Sequence, residues 1–319
     1  MKKAFKFLIV LCLVAIAAAL AVKPERYLPV CLQGLNLWAT KVLPSLLPFL
    51  FVTLLLTSFC NISRASSVLS PVTRFLYGTS GIAAFVRIVG LISGYPAGAK
   101  LVASLSEEGL IDKNEATKIA VLSSTSGPSF VIGTVGVGFF ADKKVGVIMF
   151  LSHILASALA ATFFRKYGDN RHISPRLTRN AKEKKSDLYA TALDSSLSML
   201  CVGTLITVFY VISEIAADSR LTFPITAALK FVLQDAAKAK AVTAGLFECT
   251  KGCYLLSSCA KSAPLCCAIV SFGGLSVLAQ SAAFLQKADV CISVFVAGKL
   301  IQTVLSFFLC LALCNIFGF

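Results

Sequence analysis

Apolar residues run along this chain in long unbroken stretches rather than in the one-face stripe of a soluble helix. Stretches of spanning length lie at 4–22, 43–60, 80–104, 118–140, 145–164, 193–216, 241–260, 263–285 and 291–314. Each approaches the roughly 20 residues that a helix needs to cross a bilayer. The pattern predicts an all-α polytopic membrane protein with about eight spanning helices. Four stretches are interrupted by helix breakers and small polar residues: "SGYPAGAK" from Ser93, "SSTSGPSF" from Ser123, "GLFECTKG" from Gly245, and "SFGGLSVLAQ" from Ser271. Glycine and proline open the helix at such points. Unwound backbone at membrane depth persists only when buried in protein or lining a watery cavity.

Composition agrees with this reading. The chain is 57% hydrophobic and 14% charged, with a mean hydropathy of +0.84, against about 25% charged residues in soluble domains. The net charge of +15 raises the question of a nucleic-acid partner. Most basic residues fall in short loops, where they set topology, so none is expected. The basic stretch Arg165–Asp187 and the Lys2, Lys3, Lys6 cluster both point to the cytoplasm. That requires an even number of crossings before Arg165, yet five stretches precede it. One of them must enter and leave by the same side, and 80–104, broken at Ser93–Gly98, is the candidate. The start, "MKKAFKFLIVLCLVAIAAALAV", has the shape of a signal peptide. It is read as an uncleaved first helix because everything downstream is membrane-embedded, leaving 23–41 as an outer loop.

The two halves resemble each other. "FFADKKVGVIMFLSHILASALAATFF" closes the first and "FLQKADVCISVFVAGKLIQTVLSFFL" the second, bringing His153 opposite Lys299. Each is preceded by two broken stretches in the same order. The expected organisation is an N-terminal helix and outer loop (1–41), a first repeat (42–165), a basic cytoplasmic loop (166–189) and a second repeat (190–319). Three crossings per repeat make the second inverted relative to the first. Paired broken segments in inverted halves are the best sequence pointer to a transporter's binding site.

"SGYPAGAKLVASLSEEGLI", "SGPSFVIGTVGVG", "GLFECTKG" and "SFGGLSVLAQ", in this order from about Leu43 to the C-terminus, resemble the YlbJ-type sporulation integral membrane proteins, within the wider nucleoside-recognition or Gate-domain membrane family. The resemblance implies a polytopic protein of the outer forespore membrane that moves dipicolinic acid toward the spore. Where relatives are richer in asparagine before "SGP", this chain has Ser123, Ser124 and Thr125.

An aromatic dianion needs positive potential and hydrogen-bond donors in a dry place. A broken helix supplies free N–H groups and a positive dipole end. The candidate substrate-binding residues are Ser93, Gly94, Tyr95, Pro96, Lys100, Ser126, Gly127, Ser129, Glu248, Ser276 and Gln280. Lys100 follows the first break, and a cation at the bilayer centre usually faces a cavity or a partner. Arg87 reads more simply as a snorkelling side chain. The Gln280 amide needs partners in lipid. Glu248 is expected to pair with Lys251, three residues on and on the same helical face, ahead of a role as proton carrier. His153 and Lys299 read as gating or merely interfacial residues. Serines and threonines singly often bond only their own helix, so their clustering at the breaks is what counts.

No GxxxxGK[ST], HExxH or GxSxG occurs, and the twelve cysteines lie mostly in apolar stretches away from His153 and His172. Neither enzymatic activity nor a metal or other cofactor is expected. What remains is a transporter or channel for a small organic anion, in contact with the lipid bilayer, with a homo-oligomer an open option. The alternatives are a nucleoside transporter and a non-transporting sporulation scaffold. The paired breaks and the surplus of intramembrane cations favour an anion transporter.

Overall fold

The computed structural model describes residues 2–58, 62–168 and 188–318, so the basic loop beyond Gly168, with His172, lies outside the described residues. Among the described residues all regular structure is helical. After α1 (Lys2–Val22) come α2 (Pro24–Leu37), a π-helical turn (Trp38–Val42) and α3 (Leu43–Ser58). Pro24 sits in the first turn of α2, where a missing N–H costs nothing. Pro24–Leu56 then forms one 33-residue apolar run. The outer loop expected at 23–41 is therefore a helix. Its buried face of Tyr27, Val30, Gly34 and Leu37 packs on a later helix through Tyr210 and Val211. That stripe is hard to read because Pro29 and Gly34 interrupt it.

α4 (Ile62–Tyr77) and α5 (Ile82–Ser93) meet at 90°. α5 stops at Gly94, whose φ of +85° costs glycine little. α6 (Tyr95–Glu107) starts immediately and folds back along α5. A methyl group on Gly98 would lie only 3.6 Å from the Gly90 Cα. α7 (Lys113–Ser123) begins at Asp112, which accepts the Glu115 N–H at 2.8 Å. After the Ser124–Pro128 break the chain continues as a wide π-helix, Ser129–Phe139, and then α8 (Lys143–Thr162). The glycines of "GTVGVG" let these two touch backbone to backbone: a methyl on Gly136 would lie 2.5 Å from the Gly146 Cα.

The second half comprises α9 (Leu188–Asp218), α10 (Phe223–Leu233), α11 (Ala236–Phe247), α12 (Cys249–Ser257), α13 (Ala263–Phe272), α14 (Gly274–Leu285) and α15 (Ile292–Phe317). α11 and α12 form another hairpin, turning at an extended Glu248. A methyl on Gly252 would stand 2.4 Å from the Gly245 Cα. α13 ends at Gly273, with φ +87°. One core cluster, including Ile82, Val86, Ile119, Leu122, Leu285 and Phe295, joins α5, α7, α14 and α15. Another, including Val131, Met149, Cys253, Val270 and Cys310, joins the π-helix to α8, α12, α13 and α15.

Among the described residues, five helical runs are long and apolar enough to cross a bilayer, or six if α4 and α5 count as one bent span. This is fewer than the eight expected, and part of the difference has a physical reason. The stretches at 80–104 and 241–260 each split into short helices that double back. That at 118–140 begins within α7, "KNEATKIAVLS", which is too polar to count.

Candidate functional site

In each half, a hairpin tip meets the break in another helix. Gly94, at the tip of α5–α6, abuts Gly127, where a methyl would lie 2.8 Å from the Ile92 carbonyl oxygen. Gly274, at the start of α14, abuts the α11–α12 tip, where a methyl would lie 3.1 Å from the Cys249 nitrogen. Only glycine permits backbone to approach backbone so closely. The four sequence breaks therefore meet as two crossings.

Side chains of α8 and α15 join the crossings into one polar centre. His153 of α8 is fully buried, and its Nε2 accepts the Ser126 N–H at 2.9 Å. Because that partner can only donate, Nδ1 carries the ring proton and donates to Ser271 Oγ at 2.7 Å. Lys299 of α15 is 1% exposed. Its ammonium donates to the Tyr95 hydroxyl (3.2 Å), the Ser124 carbonyl (3.1 Å) and Gln302 Oε1 (3.0 Å), and lies 4.4 Å from the Tyr95 ring centroid. The Tyr95 hydroxyl donates in turn to the Val270 carbonyl at 2.5 Å. Gln302 Nε2 lies 3.4 Å from His153 Nδ1. Thus α6, α7, α8, α13 and α15 all meet here.

Arg87 does not snorkel. Its guanidinium donates to the carbonyls of Leu122 (2.5 Å) and Ile154 (3.0 Å), tying α5 to α7 and α8. Arg87 and Lys299 together cover the carbonyl end of α7, the negative pole of that half-helix. Among the described residues no carboxylate bonds either cation at this centre.

The structure separates the sequence candidates. Gly94, Tyr95, Ser126 and Gly127 lie at the centre, with Ser93 and Pro96 on either side of the same tip. Ser93 Oγ is buried without a hydrogen-bond partner. Ser129 lies just past the break, and its carbonyl accepts from Ser45 Oγ at 2.5 Å. Ser276, in the first turn of α14, is buried with an unpartnered hydroxyl at the second crossing. Lys100 is away from the centre: its side chain is 58% exposed and its ammonium lies 3.9 Å from Asp194. Six residues past its break, Gln280 is half-buried and carries no hydrogen bond among the described residues. Glu248 is buried but does not pair with the Lys251 ammonium. Its carboxylate caps α12 by accepting the Lys251 backbone N–H at 2.6 Å, while the ammonium goes to Glu214, also at 2.6 Å. The extended backbone at Glu248 breaks the helix on which the three-residue spacing depended.

Sequence reasoning left His153 and Lys299 unassigned and passed over Gln302. The usable signal was the line Phe295, Gly298, Lys299, Gln302, Ser306, Cys310, Cys314. This stripe of mostly small and polar residues at helical spacing in an apolar helix is the buried face of α15.

No family model matches the chain. No solved structure matches it. The chain is 30% identical, over 309 aligned positions, to the sporulation integral membrane protein YlbJ of Bacillus subtilis (strain 168), an alignment that covers 88% of this chain and 76% of that one. With that identity over most of both chains, the protein belongs to the YlbJ-type family of sporulation integral membrane proteins.

Proposed function

We propose that this protein is a sporulation transporter or gated channel that carries a small organic anion, dipicolinate, across the outer forespore membrane. The observation that carries this reading is Lys299: a fully buried cation, bonded only to neutral acceptors, where the breaks of both halves converge. An uncompensated charge in a low-dielectric interior is costly, and a carboxylate arriving there supplies the missing counter-charge. Arg87, bonded to the Leu122 carbonyl at the same end of α7 that Lys299 bonds, adds a second cation, which suits a dianion. An uncharged nucleoside offers no such compensation.

Two inverted halves are part of the proposal. Supporting them are a right-angled α4–α5 connection and a hairpin in the first half, matched by α10 and a hairpin in the second. In both halves a broken helix and a closing helix follow, α8 in one and α15 in the other. Each closing helix also packs on the broken helix of the opposite half. Each half then crosses the bilayer an odd number of times, which inverts the second.

The test is uptake of labelled dipicolinate into proteoliposomes of the purified chain, with a labelled nucleoside in parallel. Saturable dipicolinate flux without nucleoside flux is expected. Flux of the nucleoside alone, or of neither, refutes the assignment.

A further inference from the structure

The two hairpins are fastened to α9 very differently. Lys251, in the α12 arm of the second hairpin, is 3% exposed. Its ammonium is held entirely by the outer end of α9: Ser213 Oγ and Glu214 Oε1 at 2.6 Å, the Tyr210 carbonyl at 3.4 Å and the Tyr210 ring centroid at 4.2 Å. Glu214 is itself shared, its other oxygen lying 3.5 Å from Arg26 of α2. Arg26 also bonds Asp218 at 3.0 and 3.1 Å. The first hairpin meets the opposite end of α9 through Lys100 and Asp194, at 3.9 Å with both side chains more than half exposed. A pair of that kind contributes little, whereas breaking a buried pair by removing one partner is strongly destabilising.

We propose that Lys251, Glu214 and Arg26 form a latch that holds the second hairpin shut against α9 and α2, leaving the first as the looser of the two. The gating role of this latch rests on the transport reading above; the latch itself does not. Glu214 is the keystone, since it alone touches both the hairpin cation and the α2 cation. Opening this hairpin requires the 2.6 Å pair to part. The Glu248 cap moves with the hairpin, because the helix it caps belongs to the same arm.

The hairpin carries its own reporters. Cys249 and Cys253 of α12 are buried, while the first hairpin contains no cysteine. Cys310 and Cys314 of α15, whose thiols lie 3.9 Å apart, are also buried and serve as internal references. Maleimide modification of the purified full-length protein is followed by peptide mass spectrometry. Modification of a buried thiol tracks the opened fraction when opening is fast. Glu214→Gln should accelerate modification at Cys249 and Cys253 by about tenfold or more, leaving the reference thiols unchanged. Lys251→Gln, which leaves no buried charge unpaired, should accelerate the same two sites by less, and the double variant should add nothing further. Unchanged rates at Cys249 and Cys253, or an equal rise at every buried thiol, overturns the latch. Dipicolinate flux, measured separately, reports on the transport reading, so failure of either is recognisable.

Discussion

The sharpest consequence of the polar centre concerns Lys299→Gln. In the native protein the ammonium is bonded to Tyr95, Ser124 and Gln302 and to no acid. Glutamine approximates its reach and can still donate to the Ser124 carbonyl, so packing and the α7 end are largely retained. What disappears is the charge. Deleting one member of a buried ion pair typically costs about 3–5 kcal/mol, which at 1.4 kcal/mol per tenfold is about 100- to 3,000-fold in Kd. Because the glutamine amide recovers part of the bonding, the lower figure is the expectation. The assay is equilibrium binding of dipicolinate to purified protein, paired with proteoliposome flux and a thermal melt. A variant that melts near the wild-type temperature and binds dipicolinate within threefold of wild type would refute the placement of the anion at Lys299.

Three further outcomes follow from the geometry. Lys100→Ala should leave dipicolinate flux at the wild-type level, because the side chain is exposed and remote from the centre; a flux loss above twofold in an intact protein contradicts that. Gly252→Ala should lower stability by about 1–3 kcal/mol, since its methyl would stand 2.4 Å from the Gly245 Cα. Gly109→Ala, with φ +70° and nothing within 4 Å, should cost only about 1 kcal/mol, so equal melting temperatures would refute the close-approach argument. The Cys291 thiol, just outside α15, is held down to about 7 by hydrogen bonds from the Ser293 hydroxyl, the Val294 N–H and the Tyr167 hydroxyl. Its alkylation rate should reach half-maximum near pH 7, and a midpoint at the ordinary thiol value of about 8.5 would contradict that hydrogen bonding.

The backbone was more legible in the sequence than the site. Breaks at Gly94, Ser124–Pro128 and Gly273 were readable because glycine and proline have local causes, whereas Glu248 was read as part of a helix that the structure breaks. Doubling back at 80–104 was forced by charge parity alone. α2 and α10 were less visible. The first is broken up by Pro29 and Gly34, and the second, at eleven residues, is shorter than a span. Side-chain partners were the least legible, because they depend on which helices pack together. Lys100 and Lys299 are both lysines in apolar surroundings, yet only the helix packing puts one outside and the other at the centre. The supposed Glu248–Lys251 pair failed because the spacing rule assumes an unbroken helix.

Buried Lys299 and part-buried Arg87, neither bonded to an acid among the described residues, also have an electrical meaning. With Lys299 and Arg87 charged, the protein centre contributes two positive charges, and moving each through the full membrane field involves about 2.3 kcal/mol per 100 mV. A dianion seated against them brings the sum to zero. On the transport reading, loaded passage would do no work against the potential, whereas the return without substrate would, so a transmembrane voltage would set the pace of turnover.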